Sequence, residues 1–193
     1  TLFFFFLVLF STCCFAQKNP AVKNAMRYMM AETPDFSAAR TAIEEAIATA
    51  PTAETYYWAG MIGYQELTQE NYNQMLGKGV NQAVAGQAVV ESYDYWLEAD
   101  RLAMIPTLDK KGREVVDTKT RANITKKMLE YYKQQELVKY GIYLNEQRDF
   151  EGAYKVFKKH IEIPELDMMQ NEKLQKEIDN LKKLELSEDA AGR

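Results

Sequence analysis

Apolar residues recur along this chain at the three-to-four-residue spacing of one helix face. From Ala21 to Glu32 the apolar positions are Val22, Ala25, Met26, Met29 and Met30, which predicts an amphipathic helix. Pro34 disfavours helix at Thr33 and interrupts the stripe. Asp35 then caps the next helix, because its carboxylate accepts from free N–H groups of the first turn. That helix carries Ala39, Ile43, Ala46 and Ile47 on one face and ends at Pro51. A third helix begins near Ala53. The Asn-, Gln- and Gly-rich run after it reads as loop in its first half. A fourth helix stops before Pro106, and the charged segment around Gly112 reads as an irregular surface insertion. From about Thr120 to Gln147 the pattern fits one extended helix or two joined ones. Another helix follows Asp149. A last one carries Leu174, Ile178, Leu181 and Leu184 on one side. No segment alternates apolar and polar residues as a half-buried strand must. The expectation is all-α, built from antiparallel helix pairs.

The spacing of the pairs calls for a repeat search. "DFSAARTAIEEAIATAP" places Ala39, Ile43, Ala46 and Pro51 at intervals of four, three and five residues. "DFEGAYKVFKKHIEIP" places Ala153 and Phe157 at the first of these intervals, with His160 and an early Pro164 after them. Between the two, Ser92, Trp96 and Ala99 keep the same spacing, with Pro106 late. These series resemble the second helix of the tetratricopeptide repeat, a 34-residue helix pair. Counting back puts Met26, Arg27 and Met30 on first-helix consensus positions of unit one. In unit two Tyr57 and Tyr64 fall on such positions, with Gly60 one residue early. In unit three they are Leu137, Tyr140, Gly141 and Leu144.

The resemblance implies a right-handed superhelix of antiparallel helix pairs over residues 20–167. Its units are 20–53, 54–106 and 134–167, with insertions at 70–85 and 107–120. Residues 168–186 form a C-terminal capping helix and residues 187–193 a disordered tail. Stacking explains why units come in series, since one helix pair cannot bury its own apolar face.

The chain's opening changes the picture of its location. "TLFFFFLVLFSTCCFA" carries no charge, and about sixteen apolar residues fall short of the roughly 20 that span a bilayer as a helix. A small-residue end fits a signal peptide over residues 1–16, cleaved after Ala16. A lipid anchor at Cys13 or Cys14 is the variant reading, although neither is preceded by a good lipoprotein box. The expected location is periplasmic or secreted, with outer-membrane lipoprotein as the alternative. Both cysteines lie in this segment, so the remainder has no disulfide and no Cys-ligated metal. With the signal, the repeats and an acidic balance, the chain is similar to secreted repeat proteins of Gram-negative bacteria.

A formal charge of −4 with no basic cluster argues against nucleic acid as a partner. Contact with a membrane is expected only through the signal or a lipid anchor. His160 is the single histidine, so it supplies no multi-His metal site. The methionines follow helical spacing and read as core rather than as copper ligands. Glu44 and Glu45 are adjacent and face apart, as a solvated surface does. "Asn123-Ile124-Thr125" is a glycosylation sequon that matters only in a eukaryotic secretory pathway. No nucleophile motif or phosphate-binding loop appears. The expectation is a protein that is not an enzyme and takes no cofactor.

The family's groove positions fall on Asn24 and Tyr28, on Trp58, Ile62 and Gln65, and on Val138, Ile142 and Asn145. The resemblance implies that these bind another protein or a peptide. Packing between repeats is expected to bury several, Ile62 and Val138 first. The family's carboxylate clamp maps onto Asn24, Tyr28, Ala59, Gln135 and Lys139, where only Lys139 is a cation, so a free C-terminal carboxylate is not the expected ligand. A second functional expectation is a glycan- or small-ligand-binding accessory protein, with Trp58, Trp96 and the tyrosines as stacking surfaces.

Overall fold

The computed structural model describes residues 19–191, with side chains up to 183. The proposed signal peptide lies outside the described residues. The described chain is all-helical apart from one small hairpin. α1 (Pro20–Met29) folds back on α2 (Phe36–Thr49), and α3 (Ala53–Met75) on α4 (Gln82–Ala103). α5 (Thr118–Lys133) leads into α6 (Glu136–Glu146), which pairs with α7 (Phe150–Glu162). Two 3-10 turns, Ile163–Glu165 and Asp167–Met169, lead to α8 (Glu172–Ala191). No helix among the described residues is long and apolar enough to cross a membrane.

Side-chain caps account for most helix starts. Asp35 and Asp149 each accept from a backbone N–H three residues on, at 2.9 Å, as expected from the sequence. Thr52, Asn81 and Asp117 also accept from the N–H three residues on, for α3, α4 and α5, and Asn19 accepts from Ala21, two residues on, for α1. α6 has no side-chain cap, and the residue before it, Gln135, is left-handed with φ 53°. The missing cap and the left-handed residue share one cause. α5 and α6 run on in the same direction as a long helix broken at Gln134–Gln135. Arg121 approaches Asp100, Tyr131 meets Trp96, and Tyr140 lies on Gly86. The path climbs α5 and α6 while it descends α4.

The third pair is α6 with α7, and α6 starts at Glu136, two residues after the position counted from sequence. The segment expected as an insertion at 107–120 holds a surface hairpin. There β1 (Thr107–Leu108) pairs antiparallel with β2 (Glu114–Val115). Two-residue strands are too short to produce an alternating pattern, which is why the sequence concealed them. The insertion expected at 70–85 is smaller. α3 continues through its Asn/Gln-rich end to Met75, and only residues 76–81 form a loop, with Gly77 and Gly79 at positive φ. Amide side chains are tolerated on an exposed helix face. At the far end, the backbone of α8 stays helical through residues 187–191, which composition assigned to the tail.

The core falls into two clusters. The first joins α1, α2 and the start of α3 around Ala21, Ala25, Ala39, Ile43 and Ala46. The second is larger and aromatic, with Trp96, Tyr93, Tyr131, Ile124 and Met128 at its centre. Trp96 is fully buried and donates its indole N–H to the Tyr57 carbonyl at 3.3 Å. Its ring lies against Gly60, where a β-carbon would sit 2.3 Å from the indole nitrogen. Gly141 plays the same part against Phe157, at 2.4 Å. The close approach at Gly141 in α6–α7 thus has a counterpart at Gly60 in α3–α4. Arg40 links α2 to the second pair by bonding Glu66 and Glu91, at 2.5 and 2.6 Å. α8 closes the end with Ile178 buried and a Lys133–Glu177 ion pair to α5.

Candidate functional site

The break at Gln134–Gln135 lies beside a cleft between α3, α4 and α6. α5 packs tightly on the middle of the α3–α4 pair. Tyr131 contacts both Tyr64 and Trp96, with ring centroids 6.1 and 5.2 Å apart. Burial pushes the Tyr131 hydroxyl well above its ordinary pKa, only partly offset by the Ser92 hydroxyl beside it. Past the break, α6 stays on α4. A cleft of about 290 Å³ opens between the three helices.

Each wall has its own chemistry. Leu67, Val80, Ala85 and Val89 supply apolar surface, and α6 supplies Tyr140 and Tyr143. These two rings stack 6.0 Å apart at 15°. Burial, followed by the charges of Tyr143 and Asp149, raises the Tyr140 pKa. Gly86 is required for this wall, because a β-carbon there would stand 1.8 Å from the Tyr140 ring. Asn71, Gln74 and Gln82 line the cleft with amides that can both donate and accept. Glu136 is the unusual member. It is 4% exposed, and its Oε1 accepts from Lys139 Nζ at 3.0 Å. Lys139 itself is 61% exposed. A mostly apolar pocket with a few polar groups is the usual form of a ligand site.

None of the groove residues expected from sequence lines this cleft. Tyr28, Trp58 and Ile62 belong to the N-terminal cluster. Ile62 is 1% exposed, which removes it from any partner surface, and α1 and α2 are what cover it. Trp58 is half-buried there, and Trp96 is wholly internal and offers no stacking face. Gln65 lines a separate shallow depression with Met29, Met30, Phe36 and Tyr72. Val138 is half-buried, Ile142 and Asn145 are exposed on α6, and Asn24 is exposed on α1.

The residues that sequence reasoning missed are Glu136, Tyr140, Tyr143 and the three amides. A glycine inside a strongly helical run, Gly86, was the one signal for them, since it marks a close approach. Among the described residues no group of three or more His, Cys, Asp or Glu side chains could hold a metal ion. His160 stacks on Tyr132 at 4.8 Å. Comparison with family models, with curated proteins and with solved structures gives no match to this chain.

Proposed function

We propose that this protein is an exported, non-catalytic scaffold of the tetratricopeptide type that binds a peptide segment of a partner protein. The α3–α6 cleft carries the proposal. Its apolar floor can take a side chain, and Asn71, Gln74 and Gln82 can bond a peptide backbone beside it. Paired helices with glycine–aromatic contacts support the repeat reading. The uncharged opening segment supports export to the periplasm or beyond, or attachment to the outer membrane through Cys13 or Cys14.

The test is a peptide selection against the whole mature chain, followed by rebinding to Asn71→Trp. Asn71 sits at the cleft rim and is only partly buried, so tryptophan closes the entrance without touching the core. Selected peptides should lose at least about tenfold in affinity. Peptides that bind both proteins equally would remove the cleft from the account.

A glycan-binding role is the second reading, favoured by the Tyr140–Tyr143 pair beside free amides. A glycan array with no hits on folded protein would eliminate it.

A further inference from the structure

Glu136 stands in the uncapped first turn of α6, which favours a carboxylate, but it is also buried at the cleft wall. A carboxylate is almost never fully buried unless paired, and removing one from water is costly. Its only side-chain donor among the described residues is Lys139, three positions on and largely in solvent. Such a pair, with one partner largely in solvent, is worth little by itself. A neutral residue at position 136 would avoid that burden.

We propose that the cleft selects a lysine or arginine side chain of the partner peptide, and that Lys139 occupies its place when the cleft is free. The inference rests on the peptide-binding reading above. Lysine and arginine are amphipathic, with an aliphatic stem and a cationic head. Leu67, Ala85 and Val89 match the stem, and Glu136 at the α6 wall matches the head. Tyr140 and Tyr143 add ring faces to which a cation is attracted. An incoming cation exchanges an exposed, flexible Lys139 for a head group desolvated by the cleft, where a charge-assisted hydrogen bond is stronger. The chain's net charge of −4 favours approach of a basic segment.

The proposal makes a prediction of unusual sign. Lys139 lines the pocket, yet its removal should improve binding, because it competes with the ligand. The experiment titrates the mature chain with N-acetyl-lysine N-methylamide and with its norleucine counterpart, which keeps the stem and lacks the charge. Binding is read from the backbone amide resonances of Leu67, Gln82, Gly86 and Tyr140.

The lysine probe should bind about tenfold more tightly than norleucine. Glu136→Gln, checked for folding by circular dichroism, should erase the difference. Lys139→Met, checked for folding in the same way, should tighten the lysine probe about threefold more than it changes norleucine binding. Equal binding of the two probes, or weaker lysine binding in Lys139→Met, would overturn the basic-side-chain proposal. The peptide reading would still stand if selected peptides remained sensitive to Asn71→Trp. If neither probe moves these resonances and selected peptides ignore Asn71→Trp, both readings fall.

Discussion

The first helix pair and the second are built on one plan and differ in what they bury. α1 and α2 have 10 and 14 residues and meet through alanines. α3 and α4 have 23 and 22 residues and meet through Trp96, Tyr93 and their neighbours. Small side chains let two short helices approach closely but remove little apolar surface from water, and burial at ~25 cal/mol per Å² rewards large side chains. The second pair is therefore the stable centre. Its extra length also extends past its neighbours, and the cleft forms on that extension. The first pair covers one flank of α3 and buries Ile62. Length and aromatic content thus separate a structural pair from one able to hold a ligand.

The largest test of this contrast is Trp96→Ala against Ile43→Ala. Loss of the Trp96 ring should cost about 3–5 kcal/mol and lower the single unfolding transition of the whole chain. Ile43→Ala should cost about 2–4 kcal/mol locally, with faster amide exchange in α1 and α2 and little change in α4 to α6. Equal exchange throughout after Ile43→Ala would show that the two clusters unfold as one.

Gly86→Ala comes next. The Tyr140 ring must move to admit the β-carbon, at a cost of about 1–3 kcal/mol. Peptide binding should fall with it. Retained binding would show that the Tyr140 wall is dispensable.

A smaller effect is expected at the turn between α6 and α7. Arg148 is left-handed, with φ 64°. Glycine there removes the steric penalty but adds freedom to the unfolded chain. Arg148→Gly should therefore stabilise by about 0.5 kcal/mol in a denaturant titration, with binding unchanged. Destabilisation would mean that the Arg148 side chain holds the turn.

The smallest concerns Asp100, where α5 meets α4. Burial raises its carboxyl pKa, and Arg121, 3.4 Å away, only partly compensates. The folded chain holds this proton more tightly than the unfolded one. Stability from this group therefore rises as pH falls from the raised folded value to the ordinary carboxylate value. Asp100→Asn should leave the melting temperature at pH 7 unchanged or higher, and the difference should shrink on acidification through that window. A lower melting temperature at pH 7 would mean that the Arg121 pair outweighs burial.

Much of the architecture was legible because periodicity and caps are local. Asp35 and Asp149 start helices where expected, and Gly141 sits under Phe157. The cleft was not legible, because it depends on relations between distant segments. The run from Thr120 to Gln147 read equally as one helix or two, and only packing on α4 shows that both descriptions hold. Gln135 carries no sequence mark of its left-handed conformation. The groove positions lie apart from the cleft for a related reason. They were counted on units of equal length, and α3 is long enough to meet α1 and α2 near Ile62 and to line the cleft at Leu67, Asn71 and Gln74.

The central claim is that ligands enter on the α3–α6 side of the molecule, and site-specific photo-crosslinking tests it most directly. A benzophenone amino acid is placed at position 82 in one protein, on the cleft, and at position 154 in another. Tyr154 is exposed on the outer face of α7, beside exposed Phe150 and Ile161. With a selected peptide, position 82 should crosslink and position 154 should not. Crosslinking from 154 with none from 82 would contradict the account and move the binding surface to α7.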